Sequence, residues 1–249
     1  MALENEVIVL KFGTTSVCDS DTLEIREDWI KTVAKDIKAL QEKGNKVIVF
    51  SSGGLATGKK NLSKKGLDIG LMNSKKILGV LGLSELLYKW QKNFEGEELL
   101  AGTIAMRSTD IESTKVCELI QDLIGHGIVP IINENIGLQE EYDNDGLASQ
   151  ICTTIGATLF VLFTDTDGVY TDNPKSNPNA KHIQQLKIDA KGIILDENEN
   201  GLGSGGMKAK LRSAIQVRRS GIKTIIANGT SLHPLENLKI SAKYTELIE

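Results

Sequence analysis

Cysteine is scarce in this chain of 249 residues: Cys18, Cys117 and Cys152 are odd in number, far apart and without CxxC spacing. That excludes a disulfide scaffold and a zinc site built on paired thiols, and it suits a reducing compartment. Histidine is as sparse. His126, His182 and His233 stand singly, read as loop residues, so no His/Cys cluster supports a transition-metal site and no metal-ligating residues are assigned. Long apolar runs are missing too. The N-terminal one, Val7 to Leu10, covers four residues behind acidic ones and reads neither as a signal peptide nor as a membrane span. Nor is there an excess of positive charge. A net charge of -4, with no basic tract and no RNA-binding signature, gives no general affinity for nucleic acid or anionic membrane. The expected location is the cytoplasm, and any anion site must arise from local geometry. Hydrolase and Walker signatures are also lacking: nothing matches GxSxG or GxxxxGK[ST].

What is present is an average globular mixture, 40% apolar and 25% charged, enough for a full core. Short β-branched runs alternate with amphipathic stretches. Strands are expected at Val7 to Leu10, Val47 to Phe50, Leu99 to Ile104, Ile128 to Ile132, Leu159 to Phe163 and Thr224 to Ala227. Between them, helices are expected on the Ile25, Trp29, Val33, Ile37 stripe, from Ser74 to Trp90, from Val116 to Ile124, from Leu147 to Ile155 and from Met207 to Arg219. This alternation predicts an α/β fold, a three-layer αβα sandwich with a mainly parallel central sheet. No repeat or linker divides it, so residues 1–249 read as a single domain with an N-terminal lobe to about residue 150 and a C-terminal lobe beyond it.

Ligands of open parallel sheets collect at the carboxyl ends of the strands, and polar residues gather there. The first strand runs into Lys11-Phe12-Gly13-Thr14-Thr15: either a phosphate cradle of glycine, hydroxyls and a lysine, or a lysine beside an ordinary turn. Ser51-Ser52-Gly53-Gly54 is a second small-residue turn, an anion site if a helix begins there and a plain connection otherwise. Asn133-Glu134-Asn135 ends a later strand. Asp143-Asn144-Asp145-Gly146 either caps the next helix or places a carboxylate near lysines. Thr164-Asp165-Thr166-Asp167-Gly168 leaves the most apolar strand as a place to read a base or ribose. Gly201, Gly203 and Gly206 satisfy GxGxxG formally, but an acidic stretch rather than a strand precedes them. A glycine loop opening a helix that carries Lys210 suits a nucleoside triphosphate better; the alternative is a flexible surface loop.

In this order the segments resemble the amino-acid kinase family, with its carbamate-kinase-like fold, and within it the glutamate 5-kinases. The resemblance covers nearly the whole chain. Its most specific parts are Ile131 to Asn135, Asp143-Asn144-Asp145, Thr164 through Pro178, and Gly201 through Lys210. It implies ATP-dependent phosphorylation of the side-chain carboxylate of glutamate, at the start of proline biosynthesis. Mg²⁺ would travel on the ATP phosphates. Lys11 and Lys210 would flank the transferred group, with Asp145 orienting both. Gly13, Ser52 and Gly53 would line the cleft, and Asn133 and Asn144 would hold the acid. Thr164 and Asp165, with Gly203, Ser204, Gly205, Gly206 and Met207, would hold ATP. The N-terminal lobe would thus take the acid and the C-terminal lobe ATP. The resemblance also implies a homo-oligomer and a glutamyl-phosphate reductase as functional partner, and the chain ends before a C-terminal RNA-modification-enzyme-like (PUA) domain could fit. Two positions depart from the pattern. Ile136 stands where an aspartate is usual, and Leu81-Gly82-Leu83 replaces Val-Gly-Gln.

Overall fold

The computed structural model describes residues 3–66, 74–138, 144–189, 206–240 and 243–249. Strand β1 (Val7–Phe12) runs through the short helix α1 (Thr14–Val17) to α2 (Glu27–Gln41), followed by β2 (Lys46–Ser51), α3 (Gly54–Lys64) and α4 (Ser74–Glu95). Next come β3 (Ala101–Met106), α5 (Thr114–Gly125), β4 (Val129–Glu134), α6 (Asn144–Thr154) and β5 (Leu159–Thr164). Two short strands, β6 (Val169–Tyr170) and β7 (His182–Ile183), pair with each other beyond it. The chain closes with β8 (Gln185–Lys187), α7 (Met207–Arg219), β9 (Lys223–Asn228), α8 (Pro234–Ile240) and β10 (Tyr244–Ile248).

Eight strands form one sheet in the order β3-β4-β2-β1-β5-β9-β10-β8. From β3 to β9 every pairing is parallel; β10 returns antiparallel to β9, and β8 lies parallel to β10. Alternation along the strands sends successive side chains to opposite faces. Ile8, Leu10 and Phe12 join the core under α2, α4 and α8, while Val9 belongs to the core under α5, α6 and α7. The architecture is therefore the expected three-layer sandwich.

The sheet departs from expectation at its far edge. Strands β8 and β10 bury only alternate residues, Leu186 in the first and Thr245 and Leu247 in the second, and so lack an apolar run. Ile25 also falls outside the helix it was assigned to: it pairs with Cys18 in an isolated bridge, and α2 begins after Arg26. Asp145 is no cap. It lies inside the first turn of α6 and is buried.

Register brings Ser51, Phe12, Phe163 and Ala227 into one row across β2, β1, β5 and β9. Aromatic rings support this row from below. Phe12 stacks on Phe163 with centroids 4.6 Å apart and meets Trp29 edge-on at 5.0 Å. Such packing leaves the strand ends little freedom. Beside them, α3 and α4 cross at backbone contact. A Cβ on Gly82 would collide with the Gly54 carbonyl, and one on Gly58 with the Leu78 carbonyl. This explains the glycine in Leu81-Gly82-Leu83 as a packing requirement. Replacing Gly82 by alanine should destabilise the fold by about 1–3 kcal/mol through overpacking. Gly125 ends α5 with an ordinary φ, and among the described residues nothing lies within 4 Å of the place a Cβ would take there. Its alanine variant should be neutral or up to about 1 kcal/mol more stable. Urea unfolding midpoints of the two variants distinguish crowding from a general intolerance of alanine.

Candidate active site

Lys11 is the penultimate residue of β1 and shares with Val9 the side of the sheet covered by α5, α6 and α7. Its ammonium meets Asp145 Oδ1 as an ion pair. The Lys210 ammonium approaches the other oxygen, Oδ2, at 3.7 Å. The Lys11 and Asp145 side chains are 4% and 5% exposed and that of Lys210 14%, so little water screens the three charges. Burial alone would raise the Asp145 carboxyl, but the charges of Lys11 and then Lys210 outweigh it and hold it below the usual carboxylate range. Two cations share one carboxylate, so among these three groups positive charge exceeds negative. Three elements distant in sequence, β1, α6 and α7, are thereby tied at one point.

Beside this centre, Asn133 Nδ2 donates to the Ser51 carbonyl, which sets the amide's orientation. Its Oδ1 is buried with no hydrogen-bond partner among the described residues. Trp90 Nε1 donates to Ser51 Oγ at 2.8 Å, and Ser51 Oγ donates to the Ser52 carbonyl at 2.9 Å. Asn144 Oδ1 accepts from the Glu134 amide at 3.0 Å, joining the end of β4 to the start of α6. Gly53 caps α3 at φ +120°, a conformation that favours glycine, and offers no side chain to the first-turn amides. Gly13 is different. Its φ of -73° suits any residue, and a Cβ there would reach only ordinary contact with the Phe163 carbonyl at 3.5 Å. Neither conformation nor internal crowding requires glycine at that position.

At the end of β5, Thr164 Oγ1 donates to Asp165 Oδ1 at 3.2 Å and Asp165 Oδ2 receives the Lys175 ammonium. Asn228 Nδ2 donates to Asp167 Oδ1 at 3.1 Å, and the Gly229 amide to the Thr164 carbonyl at 2.8 Å. Gly229 is packed so closely on Ser16 and Phe163 that a Cβ would lie 2.7 Å from Phe163 Cβ. Gly206 caps α7 without a side-chain hydrogen bond, and Met207 opens the helix. Gly203, Ser204 and Gly205 lie outside the described residues, as does Asp143.

The expected residues therefore fall at neighbouring strand ends: Lys11, Asp145 and Lys210 in contact, Asn133 and Asn144 on β4 and α6, Ser52 and Gly53 beyond β2, Thr164 and Asp165 at the end of β5. The sequence places Ser51, Glu134 and Lys175 within quoted motifs and Trp90 at the end of a helix, but assigns none of them a role of its own, and Asn228 carries no signal at all. Trp90 looks like core in a helical stripe, and its indole N–H to Ser51 spans residues with no local signal. Glu134 is 1% exposed, unusual for a glutamate, but sequence alone does not show burial. Among the described residues, Asp36, His233 and Glu236 have metal-ligand spacing, between α2 and α8. Asp36 there accepts from the backbone amides of Leu235 and Glu236, which accounts for its position.

Asp145 generates a pH-dependent prediction. Its folded-state carboxyl is depressed, so its stabilisation is present above the ordinary aspartate value of about 3.9 and is lost as pH falls through the lower folded value. Asp145→Asn removes the carboxylate that the buried Lys11 ammonium and the half-buried Lys210 ammonium share, at a cost of roughly 3–5 kcal/mol near pH 7. Unfolding curves at pH 7 and at successively lower pH should show that gap narrowing below about pH 4. A gap independent of pH would show that Asp145 acts through shape alone.

Comparisons with known proteins place these residues in context. Residues 6–228 match the model of the amino acid kinase family. A glutamate 5-kinase of Vibrio vulnificus is 33% identical over 238 residues, covering 92% of this chain and 62% of that enzyme. The chain thus spans under two thirds of that relative's length. Glutamate 5-kinase 2 of Mesorhizobium japonicum is 30% identical over 253 residues, covering 97% of this chain and 88% of the relative. Among solved structures, carbamate kinase of Giardia lamblia bound to AMP-PNP superposes with a TM-score of 0.71 at 15% identity, covering 98% of both chains.

Proposed function

The chain belongs to the amino acid kinase family, and we propose that it transfers the γ-phosphoryl group of ATP to the side-chain carboxylate of L-glutamate, giving L-glutamyl 5-phosphate. The observation that carries this reading is the buried Lys11–Asp145–Lys210 cluster at the strand ends. Phosphoryl transfer asks for alignment and for positive charge around the moving group rather than for a covalent intermediate on the protein. Two ammonium groups held by one carboxylate supply that charge in a preorganised, poorly hydrated setting. Lys11 faces the side of the bound acid and Lys210 that of the nucleotide, and Asp145 keeps both from relaxing toward solvent.

The acid lies against Ser52, Gly53, Asn133 and Asn144. The first-turn amides of α3 receive an anionic oxygen, and the unpartnered Asn133 Oδ1 accepts from a donor on the acid, such as an α-ammonium group. Gly13 leaves its backbone amide open to the phosphates, the one requirement left for glycine there. ATP lies across Thr164, Asp165, Gly206 and Met207, and the resemblance adds Gly203, Ser204 and Gly205 to the residues that hold it. Because both Asp145 oxygens face lysines, Mg²⁺ would be carried by the ATP phosphates and would neutralise part of their charge. The product is an acyl phosphate, prone to hydrolysis, so a reductase consuming it, as at the start of proline biosynthesis, is the natural functional partner.

A second reading, another carboxylic acid as acceptor, is favoured by Ile136. This side chain is buried against Gly79, where a Cβ would come within 2.7 Å of it, and it touches the Gly54 position at 3.9 Å. Its role is packing under α4, so it brings no counter-charge for an α-ammonium group. Trapping the acyl phosphate with hydroxylamine tests both readings. Glutamate should yield hydroxamate; glutarate should be at least about tenfold slower in kcat/KM, a loss of the size expected for one missing charge-assisted contact, and aspartate should be slower too because its side-chain carboxylate is one methylene short of the transferred group. Equal rates with glutarate would support the second reading, and hydroxamate from no acid would remove the proposal. Lys210→Ala should fold normally and lose at least about 100-fold in kcat.

A further inference from the structure

We propose that Lys175 is a nucleotide-positioning residue that acts through Asp165, screening that carboxylate's charge while leaving it oriented toward the donors of a nucleoside polyphosphate. The proposal rests on the phosphoryl-transfer reading above. Lys175 is ten positions beyond Asp165 in the chain, yet its ammonium returns to Asp165 Oδ2 while Thr164 Oγ1 donates to Oδ1. The returning loop is constructed from side-chain turns. The Lys175 amide donates to Asn173 Oδ1 at 3.0 Å, the Asn173 amide to Asp172 Oδ1 at 2.7 Å, and Asn177 Nδ2 to Asp172 Oδ2 at 2.6 Å. Thr171 and Lys181 close its base, each amide donating to the other residue, at 2.9 and 3.0 Å. Asparagine and aspartate in succession are what such turns require.

The pair itself does little for folding. The Lys175 side chain is 65% exposed and that of Asp165 32%, and rim pairs of this kind contribute little to stability. Their effect is on the local field. Asp165 stands at the carboxyl end of β5, next to the row of strand ends on which the nucleotide is placed, and an unscreened carboxylate there repels a polyanion. With Lys175 in contact the monopole is cancelled, yet the carboxylate oxygens can still accept from ribose hydroxyls or an exocyclic amine. Lys11 and Lys210 meet Asp145 and serve the transferred group. Lys175 serves the opposite end of the same ligand.

Calorimetric titration of ATP into the full chain, with steady-state kinetics beside it, tests this. Lys175→Met should weaken ATP binding and raise the KM for ATP by roughly tenfold while kcat stays within about twofold, and Lys175→Arg should restore binding to within about threefold. Both variants should keep the wild-type unfolding midpoint. Asp165→Asn removes the charge that Lys175 screens, so adding Lys175→Met to it should cost no further affinity. Wild-type ATP affinity in Lys175→Met, or a double variant weakened by the product of the two single losses, overturns the proposal. A wild-type chain that binds no ATP overturns the phosphoryl-transfer reading itself, a different result from one in which only the Lys175 variants behave like wild type.

Discussion

A single buried carboxylate shared by two ammonium groups organises this molecule. Asp145 draws Lys11 from β1 and Lys210 from α7 onto the first turn of α6. Each charge is costly to bury alone, and the cluster persists only because the others are in place. Its geometry therefore depends on the rigid placement of three separate elements, and the packing around it supplies that rigidity. The α5/α6/α7 layer presses α6 and α7 on the sheet through Leu147, Ile151, Leu211 and Ala214. On the other face the Phe12–Phe163–Trp29 rings hold the strand end from which Lys11 projects.

The rest of the cleft follows from the same frame. Parallel strands end together, so residues beyond β1, β2, β4 and β5 meet although they are far apart in the chain. The glycine crossing of α3 and α4 lets these helices approach at backbone distance, and Ile136 fills the space left by Gly79. Hydrogen bonds then set individual side chains: Asn133 through the Ser51 carbonyl, Asn144 through the Glu134 amide, Asp165 through Thr164 and Lys175. A site made this way needs little reorganisation when charge moves through it.

Much of this was legible in the sequence, and the reasons are physical. Buried parallel strands such as Leu159 to Phe163 are apolar runs, so their ends and the polar residues beyond them can be located directly. Helix α7 is readable at its observed bounds because a glycine-rich sequence precedes it and Gly221 follows it. What escaped was of two kinds. Strands β8 and β10 hide because they bury only one and two side chains, too few to make an apolar run. The ion pairs of Asp145 escaped as a derivation because more than half the chain separates it from Lys11, and no local pattern encodes a contact of that range. Strand-end logic points to Lys11, the glycine-rich segment points to Lys210, and the residues around Asp145 leave open a cap or a carboxylate near lysines, so it is the resemblance that pairs both lysines with Asp145. Ile136 is intermediate. Its identity was plain, but only the contact with Gly79 shows that its role is packing.

In the proposed reaction Asp145, Lys11 and Lys210 work as one unit on the transferred phosphoryl group. The most direct measurement is the turnover of a Lys11→Met/Asp145→Asn/Lys210→Met triple variant beside the three single variants. Residues acting as a unit are strongly non-additive, so the triple variant should fall no more than about tenfold below the weakest single one. A triple loss equal to the product of the three single losses would contradict the claim, because it would make each residue an independent contributor.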